Sequence, residues 1–372
     1  MADRINLLND YNAVAHPAVL EALLAASGRR YSGYGADGET EAARAAVRCF
    51  VARDDAQVHF LPGGTQTNLT AIAAFLRPHE AVIAPATAHI CGHETGAVEA
   101  TGHKVLTVEA TDGKALPQDV ERMVAAHQGE HTVRPRLLFL SQATELGTVY
   151  THAELLALRA VCDRAGLYLY IDGARLGSAL AAGQEGAGAG AGLCASASGG
   201  ERASAAPCAG TGASASIEET ARIADAFYIG GTKSGLLFGE ALVLCNPALA
   251  QDFRWHIKQR GGLLAKGFLL GIQFSALLEG GLYLDLARRA NRAAARLVEH
   301  LRTLGCTFAV MSPTNQIFPV VSREAEAMLA RHVLFEHWGE QEDGGQVIRF
   351  VTTWQTTDEE VDAVAALLRQ GG

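Results

Sequence analysis

From residue 56 onward, short apolar runs alternate with amphipathic stretches. VHFLP is followed by TQTNLTAIAAFLR, EAVIAP by the stretch from His89 to Ala100, KVLTVEA by LPQDVERMVAAH, and RLLFLS by AELLALRAVCDRAG; LYLYIDGA, AFYIG and EALVLC complete the series. The short runs read as strands and the longer periodic stretches as helices. Strands separated by helices of this length need crossover connections, and repeated crossovers build a mostly parallel sheet covered on both faces. The pattern predicts an α/β domain over residues 1–248. Beyond it one long helical periodicity runs through GIQFSALLEGGLYLDLARRANRAAARLVEHLRTLG. Short strands follow at CTFAV, QIFPVV and QVIRFVT, interleaved with helices at EAEAMLARH and TDEEVDAVAALLRQ. A smaller α+β C-terminal domain over 249–372 is expected.

The pattern is interrupted between Gly183 and Ser216, where most residues are Ala, Gly or Ser. GAGAGAG within it invites a dinucleotide-binding reading, but strict GxGxxG spacing is missing, no strand precedes it and no helix follows. A segment so poor in large apolar groups cannot offset the entropy of ordering, so a mobile, dispensable surface insertion is expected.

Composition narrows the function. At 372 residues, two domains are the default, and with 49% apolar residues a large core is available. A formal charge of −9 offers no positive field for nucleic acid or an anionic membrane, which favours a small-molecule substrate. The seven cysteines are scattered and lack CxxC spacing, arguing for reduced thiols. MADRINLLNDYN has no apolar leader core, and no apolar run approaches the ~18 residues needed to span a bilayer. A cytoplasmic location is the expectation.

Four stretches carry candidate chemistry. In FYIGGTKSG, Lys233 follows a strand between Gly230, Gly231 and Gly235. A loop lysine in water would account for it. So would an amine that forms a Schiff base with a carbonyl cofactor, the glycines letting a bulky partner approach. In LYLYIDGAR, Asp172 ends an apolar strand at the edge where open α/β sheets bind ligands. It either caps the next helix or meets a cation such as a protonated pyridine nitrogen. FLPGGTQTN ends a strand in glycines and opens a helix, whose free amides at Gly64 and Thr65 suit a phosphate. In PATAHICGHETG, His89 and His93 with Cys91 between them suggest zinc, but no further ligand stands at helical or loop spacing, so no metal is expected. His89 is placed to stack on an aromatic ring.

These features occur in chain order, each after a predicted strand, and together with INLLNDYN, SGYG, ELGTVY, GGTKSG and VIRFVT they resemble the threonine aldolases. That family lies within the beta-eliminating lyase superfamily of fold-type I, transferase-like enzymes dependent on pyridoxal 5′-phosphate. The similarity covers nearly the whole chain outside the insertion. It implies that Lys233 carries the cofactor as a Schiff base, Asp172 pairs with the pyridine nitrogen, and Arg175 lies near the phenolic oxygen. Gly64 and Thr65 would hold the phosphate, and His89 would stack on the ring. Asn9, Tyr34 and Arg349 are implied at the substrate, Arg349 receiving its carboxylate. Glu145 in ATELG departs from the family, standing where several members carry a histidine beside the substrate hydroxyl, and is expected to act there as the base or as the anchor of a water that is. The implied reaction splits L-threonine, L-allo-threonine or another β-hydroxy-α-amino acid into glycine and an aldehyde. Two alternatives remain: β-elimination from an aromatic or sulfur amino acid, or a binding protein that keeps the fold without catalysis. The family also implies a homotetramer or homodimer in which a neighbouring subunit completes the site, with Lys266 the candidate basic residue for the phosphate.

Overall fold

The computed structural model describes residues 4–189 and 214–371. Its larger sheet has seven strands in the order Gln57–Leu61, Glu240–Leu244, Ala226–Gly230, Tyr168–Asp172, Arg134–Ser141, Glu80–Pro85 and Val105–Val108. All run parallel except Glu240–Leu244, which is antiparallel to both neighbours. The connection from Gly230 to Glu240 is too short for a crossover helix, so the chain can only turn back on itself. Every residue of Glu80–Pro85, Ala226–Gly230 and Glu240–Leu244 is buried, as a sheet covered on both faces requires. Parallel strands end on one edge, so His89, Glu145, Asp172 and Lys233, each at or just beyond a strand end, are delivered to the same side of the molecule.

A second sheet of four antiparallel strands runs Glu336–Glu340, Gln346–Val351, Gln316–Val321 and Thr307–Val310. The N-terminal strand Ile5–Asn6 pairs with Val333–Leu334, and the Val351 amide donates to the Leu7 carbonyl at 2.9 Å. These pairings, with no counterpart in the strand pattern, carry Asn9 and Asp10 to the strand-end edge of the larger sheet. Leu270, Phe274, Tyr283 and Leu286 belong to the core of the larger sheet, whereas Ala293, Leu297 and Leu301 join Ile317, Ile348 and Phe350. The core thus changes within helix Leu282–Thr303, downstream of the change in sequence texture at residue 248.

Four expectations need correction. The amphipathic stretch from His89 to Ala100 forms only the short helix His89–Gly92 and a 3-10 turn at Glu99–Thr101, because Thr95 and Gly96 take positive φ between them. The long helix is two, Phe268–Leu278 and Leu282–Thr303, broken where Gly280 and Gly281 adopt φ of 60° and 81°. This region, Phe268–Thr303, is long and apolar enough by composition to cross a membrane, contrary to the reading of the apolar runs. Half of its apolar stretch is buried inside the protein, where it packs on helix Gly38–Phe50 and the larger core. The Ala/Gly/Ser segment is also shorter than its composition implies. Residues 183–189 continue helix Leu176–Ala189, Ser214 bridges Thr151, and Ser216 caps helix Ile217–Ile223 through a capping box with Glu219. The mobility expected of residues 190–213 lies outside the described residues.

The contact between helices Phe268–Leu278 and Gly38–Phe50 depends on a missing side chain. A Cβ on Gly271 would lie 2.7 Å from the Thr40 Cα and 2.9 Å from its amide nitrogen, both backbone atoms that cannot yield without moving the helix. Gly271→Ala is expected to lower unfolding free energy by about 1–3 kcal/mol in urea titration while leaving the strand-end site intact. An unchanged midpoint would show that the helices separate at no cost.

Candidate active site

Asp172 closes strand Tyr168–Asp172 and is 5% exposed. Its Oδ1 accepts from the Tyr228 hydroxyl at 2.5 Å and the Ala174 amide at 3.0 Å, and its Oδ2 accepts from Asn68 Nδ2 at 2.9 Å. A carboxylate offers about four lone-pair sites, so one on Oδ2 is left for a further donor. The Ala174 contact shows that Asp172 also shapes the following turn, so the capping and cation-binding readings of this residue are compatible. Helix Gly64–Phe75 supplies Asn68 one turn beyond its N-terminus and is capped by Gly63 without a side-chain contact. The amides of Gly64, Thr65 and Gln66 have no acceptor within the helix. A Cβ on Gly64 would reach within 3.1 Å of the Tyr228 hydroxyl, which places this amide-rich end beside the Asp172 network.

Lys233 lies in the 3-10 turn Thr232–Ser234, half-buried. Burial lowers its proton affinity first and the Arg175 guanidinium adds to that, while Asp10, Asp172 and Glu240 oppose them. The flanking glycines serve a different purpose from the one their sequence position suggests. A Cβ on Gly230 would sit 2.5 Å from the Ala174 carbonyl, and one on Gly231 2.4 Å from Leu236 Cδ1. Gly235 takes φ of 96° with Leu286 at 2.7 Å. They accommodate the protein's own chain rather than a ligand. Below the turn, buried Glu240 accepts from Thr232 Oγ1 at 2.8 Å and the Gly231 amide at 2.9 Å. Burial pushes its carboxyl up to about 7 in spite of those hydrogen bonds.

Lys233, Arg175, His89, His93, Glu145, Asn9 and Arg349 line one cavity of about 410 Å³ with Leu8, Tyr11, Glu336 and Trp338. Glu145 is 9% exposed; its Oε1 accepts from Ser141 Oγ at 2.7 Å and from the His89 amide at 2.8 Å. Burial raises its carboxyl above the ordinary glutamate value, the Ser141 hydrogen bond opposes this, and the Asp172 charge reinforces it. The His89 imidazole meets Glu94 Oε1 at 2.9 Å through Nδ1 and packs 5.4 Å from the His93 ring. His93 is shifted toward its neutral form by burial and by His89.

Arg175 forms a two-point ion pair with Asp10, Nε to Oδ2 at 2.6 Å and Nη2 to Oδ1 at 3.1 Å. Burial would raise the Asp10 carboxyl, but Arg175, Lys233 and the Asn315 amide hold it down at about 2. Arg349, on strand Gln346–Val351, donates through Nη2 to Glu336 and sits over the Trp338 ring at 4.7 Å. Its Nε is buried without an acceptor among the described residues, and its Nη1 reaches Gln316 only at 3.5 Å. Tyr34 is not brought into the cavity. It is 44% exposed at a φ of 61°, its carbonyl accepting from Arg254 Nη2 at 2.6 Å and its ring 4.5 Å from Lys258 Nζ. Lys266 is exposed near it, the Tyr34 amide donating to the Ala265 carbonyl at 3.0 Å.

Asp10, Asn68, Glu94, Ser141 and Tyr228 escape the sequence reading. Only Asn68 leaves a trace, at one helical turn after the glycine-rich helix start. Tyr228 and Glu94 become meaningful only when distant strand ends are brought together.

The donor set fits a phosphorylated pyridine aldehyde: an amine of lowered proton affinity, a buried carboxylate with a free lone pair, and a helix end with open amides. Comparison with known proteins points the same way. The sequence profile described as Beta-eliminating lyase matches residues 6–324. The low specificity L-threonine aldolase of Pseudomonas aeruginosa is 32% identical over 320 residues, spanning 85% of this chain and 83% of that protein. Its counterpart from a Pseudomonas species is 31% identical over 321 residues, with the same coverage of 85% and 83%. The structure of Leishmania major threonine aldolase, 38% identical, covers 98% of this chain and 99% of its own with a TM-score of 0.88. With the profile spanning most of its length, the chain belongs to the beta-eliminating lyase family and has the fold-type I architecture.

Proposed function

We propose that this enzyme uses pyridoxal 5′-phosphate to cleave L-threonine, L-allo-threonine and related β-hydroxy-α-amino acids between Cα and Cβ, releasing glycine and an aldehyde. The observation that carries this reading is the shared cavity: Lys233, Arg349 and Glu145 line one space, and Asp172 is buried at a strand end on the same edge of the sheet. The threonine aldolase relatives supply the substrate class.

Each side chain has a role that follows from its surroundings. Lys233 would hold the cofactor aldehyde covalently, its amine kept nucleophilic by burial. Asp172 would hold the ring-nitrogen proton on its free lone pair, with Tyr228 and Asn68 fixing the carboxylate. The first-turn amides at Gly64 and Thr65 would take the phosphate. His89 would cover the ring, and Arg175, paired with Asp10, would stand beside Lys233. When bound, the cofactor supplies an electron sink for the carbanion left at Cα. Arg349 would receive the substrate carboxylate from the wall of this cavity, where its guanidinium can offer two parallel donors. Held there, with Asn9 across the cavity, the substrate can be aligned so that Cα–Cβ is the bond that breaks. Glu145 would accept the β-hydroxyl proton, and its raised carboxyl makes it a better base than an exposed glutamate.

We further infer a homo-oligomer, dimeric or tetrameric. Tyr34 and Lys266 are exposed and tied together by the Tyr34–Ala265 hydrogen bond, so one neighbouring site could receive both. The cysteines Cys49, Cys91, Cys162, Cys245 and Cys306 are free thiols, which suits a reducing cytoplasm. We propose two domains, with the smaller one beginning within helix Leu282–Thr303, where the core changes, and not at residue 249 as the sequence texture suggests.

Three measurements test this function. Incubation with L-threonine is expected to yield glycine and acetaldehyde; pyruvate and ammonia would instead establish β-elimination. Lys233→Ala should abolish the borohydride-fixed cofactor peptide, and a labelled peptide from that variant would remove Lys233 from its role. Glu145→Gln should retain cofactor and glycine binding but lower kcat for threonine by about a hundredfold or more, the scale of a lost general base. The acid limb of the kcat profile should lie above pH 4.5 in the parent, because Glu145 must lose its raised proton to act, and should vanish in the variant. Cleavage at the parent rate would move the base to His93, which lines the same cavity and favours its neutral form.

A further inference from the structure

Glu94 is 5% exposed and its side chain is entirely enclosed, yet it touches no substrate-facing surface. Its Oε1 lies 2.8 Å from Asn68 Nδ2 and 2.9 Å from His89 Nδ1. Its Oε2 is buried without a hydrogen-bond partner among the described residues. Asn68 uses its second amide hydrogen on Asp172 Oδ2 at 2.9 Å, while its own carbonyl oxygen accepts from the Tyr170 hydroxyl at 3.1 Å. One carboxylate thus stands behind the aromatic lid and, through a single amide, behind the residue at the ring nitrogen.

The hydrogens can be counted. The Asn68 amide group has two, and the two carboxylates Glu94 and Asp172 take one each. Asn68 therefore keeps one orientation, because a flipped amide would set its oxygen against both carboxylates. Oε1 of Glu94 can only accept from the His89 ring while its carboxylate is ionised, which requires the proton on Nδ1. Protonation of Glu94 at Oε2 would give a hydroxyl with no acceptor, at the usual cost of a buried unsatisfied donor. Free imidazole in water has both tautomers available, so the selection comes from Glu94.

We propose that Glu94 is a positioning residue that fixes the Nδ1–H tautomer and ring plane of His89 and, through Asn68, the orientation of Asp172. This rests on the placement of His89 and Asp172 at the cofactor ring argued above. It assigns Nε2, with its lone pair free, as the only His89 nitrogen available to the cavity. The consequence is a lid and a ring-nitrogen partner set by one buried acceptor oxygen, in place of two independently held side chains.

The test uses nitrogen-15 histidine spectra of the apo and holo protein, with a His89→Asn sample to assign the signal, together with cofactor dissociation and visible circular dichroism of the holoenzyme. In the parent, His89 should read as the Nδ1–H form in both states. Glu94→Gln keeps an oxygen for both donors and should preserve the tautomer and the dichroism of the bound cofactor. Glu94→Leu should release His89 to its other tautomer, change the dichroism, and weaken cofactor binding by about ten- to a hundredfold, the scale of a lost hydrogen bond to a charged group. Should the leucine variant not fold, Glu94→Asp, which retains charge but withdraws it by one methylene, should release the same tautomer. A parent showing Nε2–H, or a leucine or aspartate variant with the parent's tautomer and dichroism, would overturn the proposal. The apo spectra separate failure of this proposal from failure of the function: a parent with no reducible cofactor adduct would refute the Lys233 role while leaving the Glu94–His89 contact measured.

Discussion

A carboxylate buried at the end of a central strand is costly unless every oxygen is occupied, and the arrangement around Asp172 answers that cost. Tyr228 comes from the neighbouring strand, Ala174 from the following turn and Asn68 from a helix entered about a hundred residues earlier. Three separate elements must therefore be in register before the buried Asp172 oxygens have their donors. The same register sets the Gly64 helix end against Tyr228, and puts Gly230 so close to Ala174 that no side chain would fit. The position of the helix that opens toward a phosphate and that of the strand that leads to Lys233 are consequences of one charge being satisfied.

Much of this was legible because parallel topology turns sequence position into spatial position. Asp172, Lys233, Glu145 and His89 each end or follow an apolar run, and when the runs lie parallel their ends lie together. Arg349 was harder, since an arginine in a strand says nothing about which face it takes. Its place in the cavity comes from the antiparallel pairing of Gln346–Val351 with Glu336–Glu340. What escaped the sequence shares a physical cause. Asp10, Asn68, Tyr228 and Glu94 act through partners distant in sequence, and no periodicity encodes which buried polar group meets which. The helix predicted over residues 89–100 failed for a local reason: its polar and apolar spacing is helical, but Thr95 and Gly96 adopt positive φ and end it. That break leaves Glu94 free to turn inward to His89 and Asn68, so the missed turn and the missed residue have one origin.

The N-terminal segment shows how a short stretch can matter beyond its length. Ile5–Asn6 is only a two-residue strand, but it is tied to Val333–Leu334, and Leu7 accepts from Val351. Asp10 then reaches Arg175 across the cleft, and Asn315, next to the strand Gln316–Val321, donates to the same carboxylate at 3.0 Å. One buried acid therefore joins the first residues of the chain, the larger sheet and the smaller sheet at the cavity wall. Losing either partner would leave an uncompensated buried charge, which is far more damaging than losing an exposed pair.

The same pair bears on the reactivity of Lys233. Two influences lower the lysine's proton affinity, burial first and Arg175 second, while Asp10, Asp172 and Glu240 raise it. Arg175 and Asp10 are in contact at 2.6 Å, so seen from the lysine they act as a dipole whose ends largely cancel. Asp172 has its charge spread over three donors, and Glu240, its carboxyl pushed up to about 7, contributes a full charge only toward alkaline pH. What is left uncancelled is desolvation. An amine whose proton affinity is lowered in this way does not depend on a single neighbouring cation. The glycines of the GGTKSG turn contribute to that desolvation: they let Ala174, Leu236 and Leu286 pack directly against the backbone on the side of the turn that faces the protein.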